Sequence, residues 1–269
     1  MKKSNYQPGD SVEISTLSED YEGIIMPQQD KNTIILKLKT GYNVGIDAKA
    51  VKSVKVVKKA KKETGKKKEK LTKKRGLKTV SILHMGGTIS SAVDYKTGGV
   101  IAKFSPEELI RLFPEIKNIA NIESRFVRQM MSDDMRFAHY NVIAKEIERE
   151  LKNGTDGIII TQGTDTMHYT ASALSFILEG LPIPVILVGS QRSSDRGSSD
   201  AAMNLISACK FIAETDFADV AICMHKNMND KKCLILPATK TRKLHTSRRD
   251  AFRPVNTQPW AEIDYDTGK

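Results

Sequence analysis

Two textures of apolar and polar positions divide the chain. Up to residue 57 the runs are short and alternating. Asp10-Ser-Val-Glu-Ile switches between polar and apolar, residues 32–38 form a second such run, and Gly41 to Gly45 marks a tight turn before Ile46. A two-residue period puts alternate side chains on one face of a strand, so this stretch predicts short strands joined by turns. About fifty residues of that kind predict a small SH3-like β-barrel over residues 1–57. It carries no reactive cluster and reads as a docking module. Beyond residue 77, apolar β-rich runs at 79–83, 157–161, 184–188 and 219–224 alternate with helical spacing at 137–151, 167–178 and 199–214. Ser105-Pro106-Glu107-Glu108 reads as a helix start, with Ser at the N-cap, Pro at N1 and Glu at N3. Strand–helix alternation predicts an α/β domain, an open and mainly parallel sheet flanked by helices, over residues 77–255.

Charge changes this picture in one place. The 269 residues carry a formal net charge of +11, and residues 58–78 hold nearly all of it in twelve Lys/Arg against two Glu. Outside that run the chain is close to neutral. A segment so charged buries no apolar surface and repels itself, so residues 58–76 are expected to form an exposed linker. A solvated tether and a nonspecific contact to RNA phosphates are both open readings of it.

Composition excludes several classes. The longest apolar stretch, residues 176–188, is interrupted by Glu179, Gly180, Pro182 and Pro184, short of the roughly 20 apolar residues a membrane span requires. The amino terminus has two lysines but no apolar core of a secretory signal, so a cytoplasmic location is expected. Three cysteines show no CxxC spacing and five histidines form no HExxH, so no metal is expected. Phosphate-binding glycine motifs are likewise missing from the strand ends.

In open α/β sheets, sites form beyond the carboxyl ends of strands. Three such ends are polar and glycine-rich: His84-Met-Gly-Gly-Thr-Ile89, Thr161-Gln-Gly-Thr-Asp-Thr-Met167 and Val188-Gly-Ser-Gln-Arg192. Singly, each is also an ordinary strand-to-helix turn. Together they bring hydroxyls and a carboxylate to one edge.

These residues carry a resemblance. GGTI at 86–89 and TQGTDTM at 161–167 resemble the two signature segments of the asparaginase/glutaminase family of amidohydrolases. Gly189-Ser-Gln-Arg192 and Asp200-Ala-Ala-Met-Asn-Leu205 fall where that family has its G-x-x-R and D-G-x-x-N-L stretches. The amino-terminal module, the lysine tether and residues 242–252 resemble one branch, the D-type subunits of archaeal-type glutamyl-tRNA(Gln) amidotransferases.

The resemblance implies a set of roles. Thr88 and Thr164 are the two catalytic threonines, with Asp165 and Lys243 completing the set. Tyr95 is the tyrosine of a mobile loop that meets the first threonine, and Ser132 and Asp133 hold the substrate's α-amino and α-carboxyl groups. No cofactor is bound by the chain itself. An E-type partner subunit, using ATP and Mg, would take ammonia from glutamine to convert Glu-tRNA(Gln) to Gln-tRNA(Gln), and a homodimer within a heterotetramer is implied. Family members continue into a second α/β domain, so residues 256–269 are expected to begin the linker to it.

The residue types suit amide hydrolysis. A threonine hydroxyl is a weak nucleophile until a neighbouring base takes its proton. Thr88 is assigned as nucleophile with Tyr95 as its proton partner, and Thr164, Lys243 and Asp165 as a second relay. Backbone N–H groups of the glycine turns are candidates for the oxyanion hole. The order in which the threonines act stays open, and so does preference between glutamine and asparagine. The alternatives are a free-standing L-asparaginase, which has no need of a docking module, and a non-catalytic RNA-binding or assembly protein using the lysine run.

Overall fold

A computed structural model describes residues 6, 7, 9–26, 32–38, 43–59, 73–87, 89, 91–93, 100–102, 113–192, 199–229 and 231–268. Thr88, Tyr95, the helix start at Ser105 and positions 60–72 of the lysine run lie outside them. The chain divides into two compact units, residues 1–68 with 93–101, and residues 69–92 with 102–269.

The first unit contains five antiparallel strands, β1 (Ser11–Thr16), β2 (Asp20–Ile25), β3 (Thr33–Leu38), β4 (Asn43–Asp47) and β5 (Val51–Lys58), in the order β4-β3-β2-β1-β5. Alternation produces its core. Val12, Ile14, Ile25, Ile34, Leu36 and Ile46 face inward and are buried. The Thr16 hydroxyl donates to the Glu19 carbonyl at 2.6 Å and closes the β1–β2 turn. This is the small barrel-like domain expected from the alternating runs.

The expected linker narrows at both ends. Lys58 still belongs to β5, paired opposite Ser11 of β1. At the other end, the Lys74 amide donates to Asn121 Oδ1 at 2.8 Å, and Lys73 pairs with Glu123 at 2.7 Å. Charge alone marked the run as linker; strand pairing and these side-chain contacts claim its edges.

The second unit is built on seven strands. They are β6 (Thr79–Gly86), β9 (Asn121–Met130), β10 (Gly157–Thr161), β11 (Val185–Val188), β12 (Val220–His225), β13 (Lys232–Pro237) and β16 (Ala261–Asp264), in the order β16-β13-β12-β11-β10-β6-β9. Outside this sheet lie the short pair β14 (Thr241–Lys243) with β15 (Phe252–Pro254) and the short strands β7 (Ser91–Val93) and β8 (Val100–Ala102). The five strands from β9 to β12 run parallel, whereas β13 and β16 join antiparallel. The sheet is thus mainly parallel. The three strands β9, β13 and β16 were not marked by the apolar runs.

Helices α1 (Phe137–Lys152), α2 (Met167–Ile177) and α3 (Ala201–Glu214) cover the sheet. Every residue of β10, β11 and β12 is buried, as expected of parallel strands covered on both faces. Ile159, Ile186 and Ala221 pack on one side with Leu205, Ile206 and Ile212 of α3. Ile158, Ile160 and Leu187 pack on the other with Ile143, Ile147 and Leu174 of α1 and α2. A polar tie joins α1 to the sheet: Arg125 of β9 pairs with Glu146 and Glu150, and Glu150 also accepts from the Ser81 hydroxyl at 2.9 Å. No helix among the described residues is long and apolar enough to cross a membrane.

Candidate active site

The site lies beyond the carboxyl ends of β6, β10 and β11, where the chain leaves a rigid sheet and side chains escape the core. Close backbone approach there needs glycine. Gly87 has φ +79°, and a Cβ on it would lie 2.4 Å from the Gly163 nitrogen. A Cβ on Gly189 would lie 2.6 Å from the Thr164 methyl. Both contacts are closer than a carbon atom tolerates, so the turns after β6, β10 and β11 meet only because these side chains are missing.

Thr164 and Asp165 follow β10 and precede α2. Lys243 ends β14, which lies seventy-nine residues further along the chain. Its Nζ donates to Thr164 Oγ1 at 2.8 Å and to Asp165 Oδ1 at 2.7 Å. The lysine side chain is only 6% exposed, whereas that of Asp165 is 64% exposed. The Ser132 hydroxyl donates to the other carboxylate oxygen, Asp165 Oδ2, at 2.8 Å. Lys243 hydrogen-bonded to Asp165 holds its carboxyl below the usual range; partial burial opposes the shift and Ser132 adds to it. Thr166 donates to the Ser132 carbonyl at 2.6 Å, so the segment carrying Ser132 is tied to the same turn.

Thr164, Asp165, Lys243 and Ser132 therefore meet in one bonded cluster. Asp133 stands apart from it. Its neighbour Ser132 is buried, but Asp133 is exposed, and its backbone carbonyl accepts from Arg136 at 2.6 Å. Thr88 and Tyr95 lie outside the described residues. The Gly87 N–H, a candidate oxyanion donor, already donates to the Met130 carbonyl at 3.2 Å.

Two contributors carried no assigned role in the sequence. Gln191 accepts from Thr164 Oγ1 at 3.0 Å and donates through Nε2 to the Arg248 carbonyl at 2.9 Å. Asp200, fully buried, accepts from the backbone N–H groups of Gln191 and Arg192, each at 2.9 Å. The glycine-rich end of β11 was the available signal for Gln191. Nothing in the sequence announces a backbone carbonyl such as that of Arg248.

One layer below, His84 of β6 lies buried between hydroxyls of its neighbours, Nδ1 at 2.8 Å from Thr161 Oγ1 and Nε2 at 2.9 Å from Ser124 Oγ. Burial pushes its pKa down to about 4. Its imidazole is neutral at physiological pH and braces the strand ends without adding charge. Among the described residues no group of three or more His, Cys, Asp or Glu is placed to hold a metal ion.

With this geometry in view, the comparisons are specific. Residues 79–269 match the family described as Asparaginase, N-terminal, and residues 6–57 match the GatD N-terminal domain. The D-type subunit of glutamyl-tRNA(Gln) amidotransferase from Methanococcus maripaludis strain C5 is 46% identical over 262 residues, covering 95% of this chain and 61% of that protein. Its counterpart from Pyrococcus furiosus is 45% identical over 271 residues, covering 98% of this chain and 62% of its own length. The chain thus spans about 61% of the length of the curated relatives it matches. Among solved structures, the thermostable L-asparaginase from Thermococcus kodakarensis superimposes with a TM-score of 0.61 at 31% identity, over 69% of this chain and 53% of that one.

Proposed function

The chain belongs to the asparaginase family, and from that premise we propose that it hydrolyses the side-chain amide of glutamine to supply ammonia for tRNA-dependent transamidation. The observation that carries the reading is the bonded cluster of Thr164, Lys243, Asp165 and Ser132, in a chain that also carries the GatD N-terminal domain. The amide-specific family supplies the reaction class. The amino-terminal domain favours a component of an amidotransferase over a free-standing asparaginase.

In this reading Thr88 attacks the amide carbon, with Tyr95 as its proton partner, and Thr164, Lys243 and Asp165 form a second relay. The carboxylate of Asp165 and the amine of Lys243 compensate each other at 2.7 Å, so the buried amine is held in place as a paired group. Of the groups bonded to Thr164 Oγ1, Lys243 is the one able to exchange a proton with it. Ser132 and the exposed Asp133 are assigned together to hold the substrate's α-amino and α-carboxyl groups. The ammonia would pass to an E-type subunit that uses ATP and Mg to amidate Glu-tRNA(Gln), within a cytoplasmic complex in which this chain pairs with a second copy of itself.

Ammonia release from glutamine and from asparagine, measured on the natural full-length protein with and without the E-type subunit and Glu-tRNA(Gln), tests this. Hydrolysis of glutamine that rises when both are present is expected, since a lid or partner that completes the site couples supply to demand. Rates indifferent to partner and tRNA, with asparagine preferred, would point to the free-standing hydrolase instead.

A further inference from the structure

Thr164 is held from two sides, and only one of them belongs to the relay just described. On the other side stands Gln191, whose side-chain amide bridges two segments. Its Nε2 donates to the Arg248 carbonyl at 2.9 Å, and its Oε1 accepts from Thr164 Oγ1 at 3.0 Å. A carbonyl oxygen can only accept, so Arg248 dictates which end of the amide faces it. The amide oxygen must then face Thr164, and since that oxygen only accepts, Thr164 must donate. Lys243 approaches the same hydroxyl oxygen at 2.8 Å as a donor. The Thr164 proton therefore points at Gln191, and a lone pair points at Lys243.

The support behind Gln191 is firm. Buried Asp200 accepts from its backbone N–H at 2.9 Å and from Asn204 Nδ2 at 3.2 Å, and Asn204 also donates to the Gly189 carbonyl at 3.0 Å. The close pass of Gly189 against the Thr164 methyl sets the same side chain from its apolar end. Three contacts thus converge on one threonine: a methyl seat, a proton acceptor and an amine.

We propose that Gln191 is a positioning residue for amide hydrolysis: it holds Thr164 Oγ1 against Lys243 in the resting site, and the O–H turns from Gln191 to the amine once Lys243, relieved of a proton by Asp165, can accept it. The proposal rests on the amidohydrolase reading above. No proton is transferred to the amide, which only fixes a direction. Without that acceptor the hydroxyl turns among its rotamers and the aligned arrangement is populated part of the time, a loss of orientation rather than of binding.

Two variants separate the acceptor from the bridge to Arg248. Gln191→Met keeps length and apolar volume but offers the hydroxyl only a weakly accepting thioether sulfur. Gln191→Glu always accepts from Thr164, and only its protonated form can also donate to the Arg248 carbonyl. In the natural full-length protein, Gln191→Met is expected to lower kcat about 10–100-fold with KM changed less than about threefold and the melting temperature little moved. Gln191→Glu is expected to stay within about fivefold of the parent at neutral pH. Full kcat in Gln191→Met overturns the proposal, as does a change in KM alone. Equal loss in both variants at neutral pH, with Gln191→Glu recovering on acidification, also overturns it and assigns Gln191 to the Arg248 bridge only. Neutron diffraction reads the contact without turnover: a deuteron on Thr164 facing Gln191 is expected, and one facing Lys243 overturns the proposal. Absence of ammonia release by the parent protein would count against the amidohydrolase reading and leave the deuteron's position to decide the Gln191 contact.

Discussion

Replacing Lys243 by alanine lowers amide turnover by about 10²–10⁴-fold, the usual worth of a positioned acid or base, while the sheet stays folded. The first half follows from contact: Nζ is 2.8 Å from the Thr164 hydroxyl and 2.7 Å from the Asp165 carboxylate. Alanine removes both bonds and leaves nothing at that position able to exchange a proton. The second half follows from burial. An unpaired buried charge is the costly outcome of breaking an ion pair, but the partner left behind, Asp165, has a side chain 64% exposed. It keeps water and the bond from Ser132 at 2.8 Å. Lys243→Arg is expected to fare no better than alanine, because a guanidinium stays charged and its planar fork does not fit a side-chain slot only 6% exposed. Ammonia release and a melting curve on each variant check both halves. Near-normal turnover by the arginine variant would show that position 243 supplies positive charge alone.

Acidification from pH 6.5 to 4 costs the second unit about 3 kcal/mol through His84, whose pKa falls from 6.5 to about 4 on folding. The sign follows from proton counting. A histidine with a depressed folded pKa binds fewer protons folded than unfolded, so stability is complete above the unfolded value and is lost as pH drops towards the folded one. Desolvation is the cause, since both flanking hydroxyls can accept from a charged ring as well as exchange with a neutral one. His168 adds to the same trend, its pKa lowered by burial and then by the nearby charges of Arg242 and Lys243. His84→Gln keeps one donor and one acceptor between Thr161 and Ser124 but does not titrate. Unfolding free energy measured across this window should therefore slope less steeply in His84→Gln than in the parent. Parallel slopes would show that His84 is solvated in the native state.

Legibility from sequence followed the kind of signal each element needs. The buried parallel strands β10, β11 and β12 announced themselves as apolar runs, because both faces of each lie against helices. Strand β9 did not, since Glu123, Arg125 and Arg128 interrupt its apolar positions with charge. Strands β13 and β16 join the sheet antiparallel, a direction that alternation of strands and helices does not encode. At the site, Thr164, Asp165 and Lys243 were legible because chemistry demands those side chains and a family resemblance placed them, and the structure brings them within hydrogen-bonding distance. Ser132 was expected, with Asp133, to hold the substrate's α-amino and α-carboxyl groups, and its bond to Asp165 was not foreseen. Gln191 was visible as a residue but not as a partner of Thr164, because its orientation depends on a main-chain oxygen fifty-seven residues away.

The distance along the chain between Thr164 and Lys243 also sets a timetable. During synthesis the segment bearing Thr164 and Asp165 leaves the ribosome seventy-nine residues before Lys243. The strands β6, β9, β10 and β11 can already be paired by then, with hydroxyl and carboxylate in place and no amine between them. A nascent chain at that stage is a sheet without a proton partner for Thr164. Thr164 gains its amine only with the β14–β15 hairpin, so the proposed relay stays incomplete until translation has carried Lys243 out.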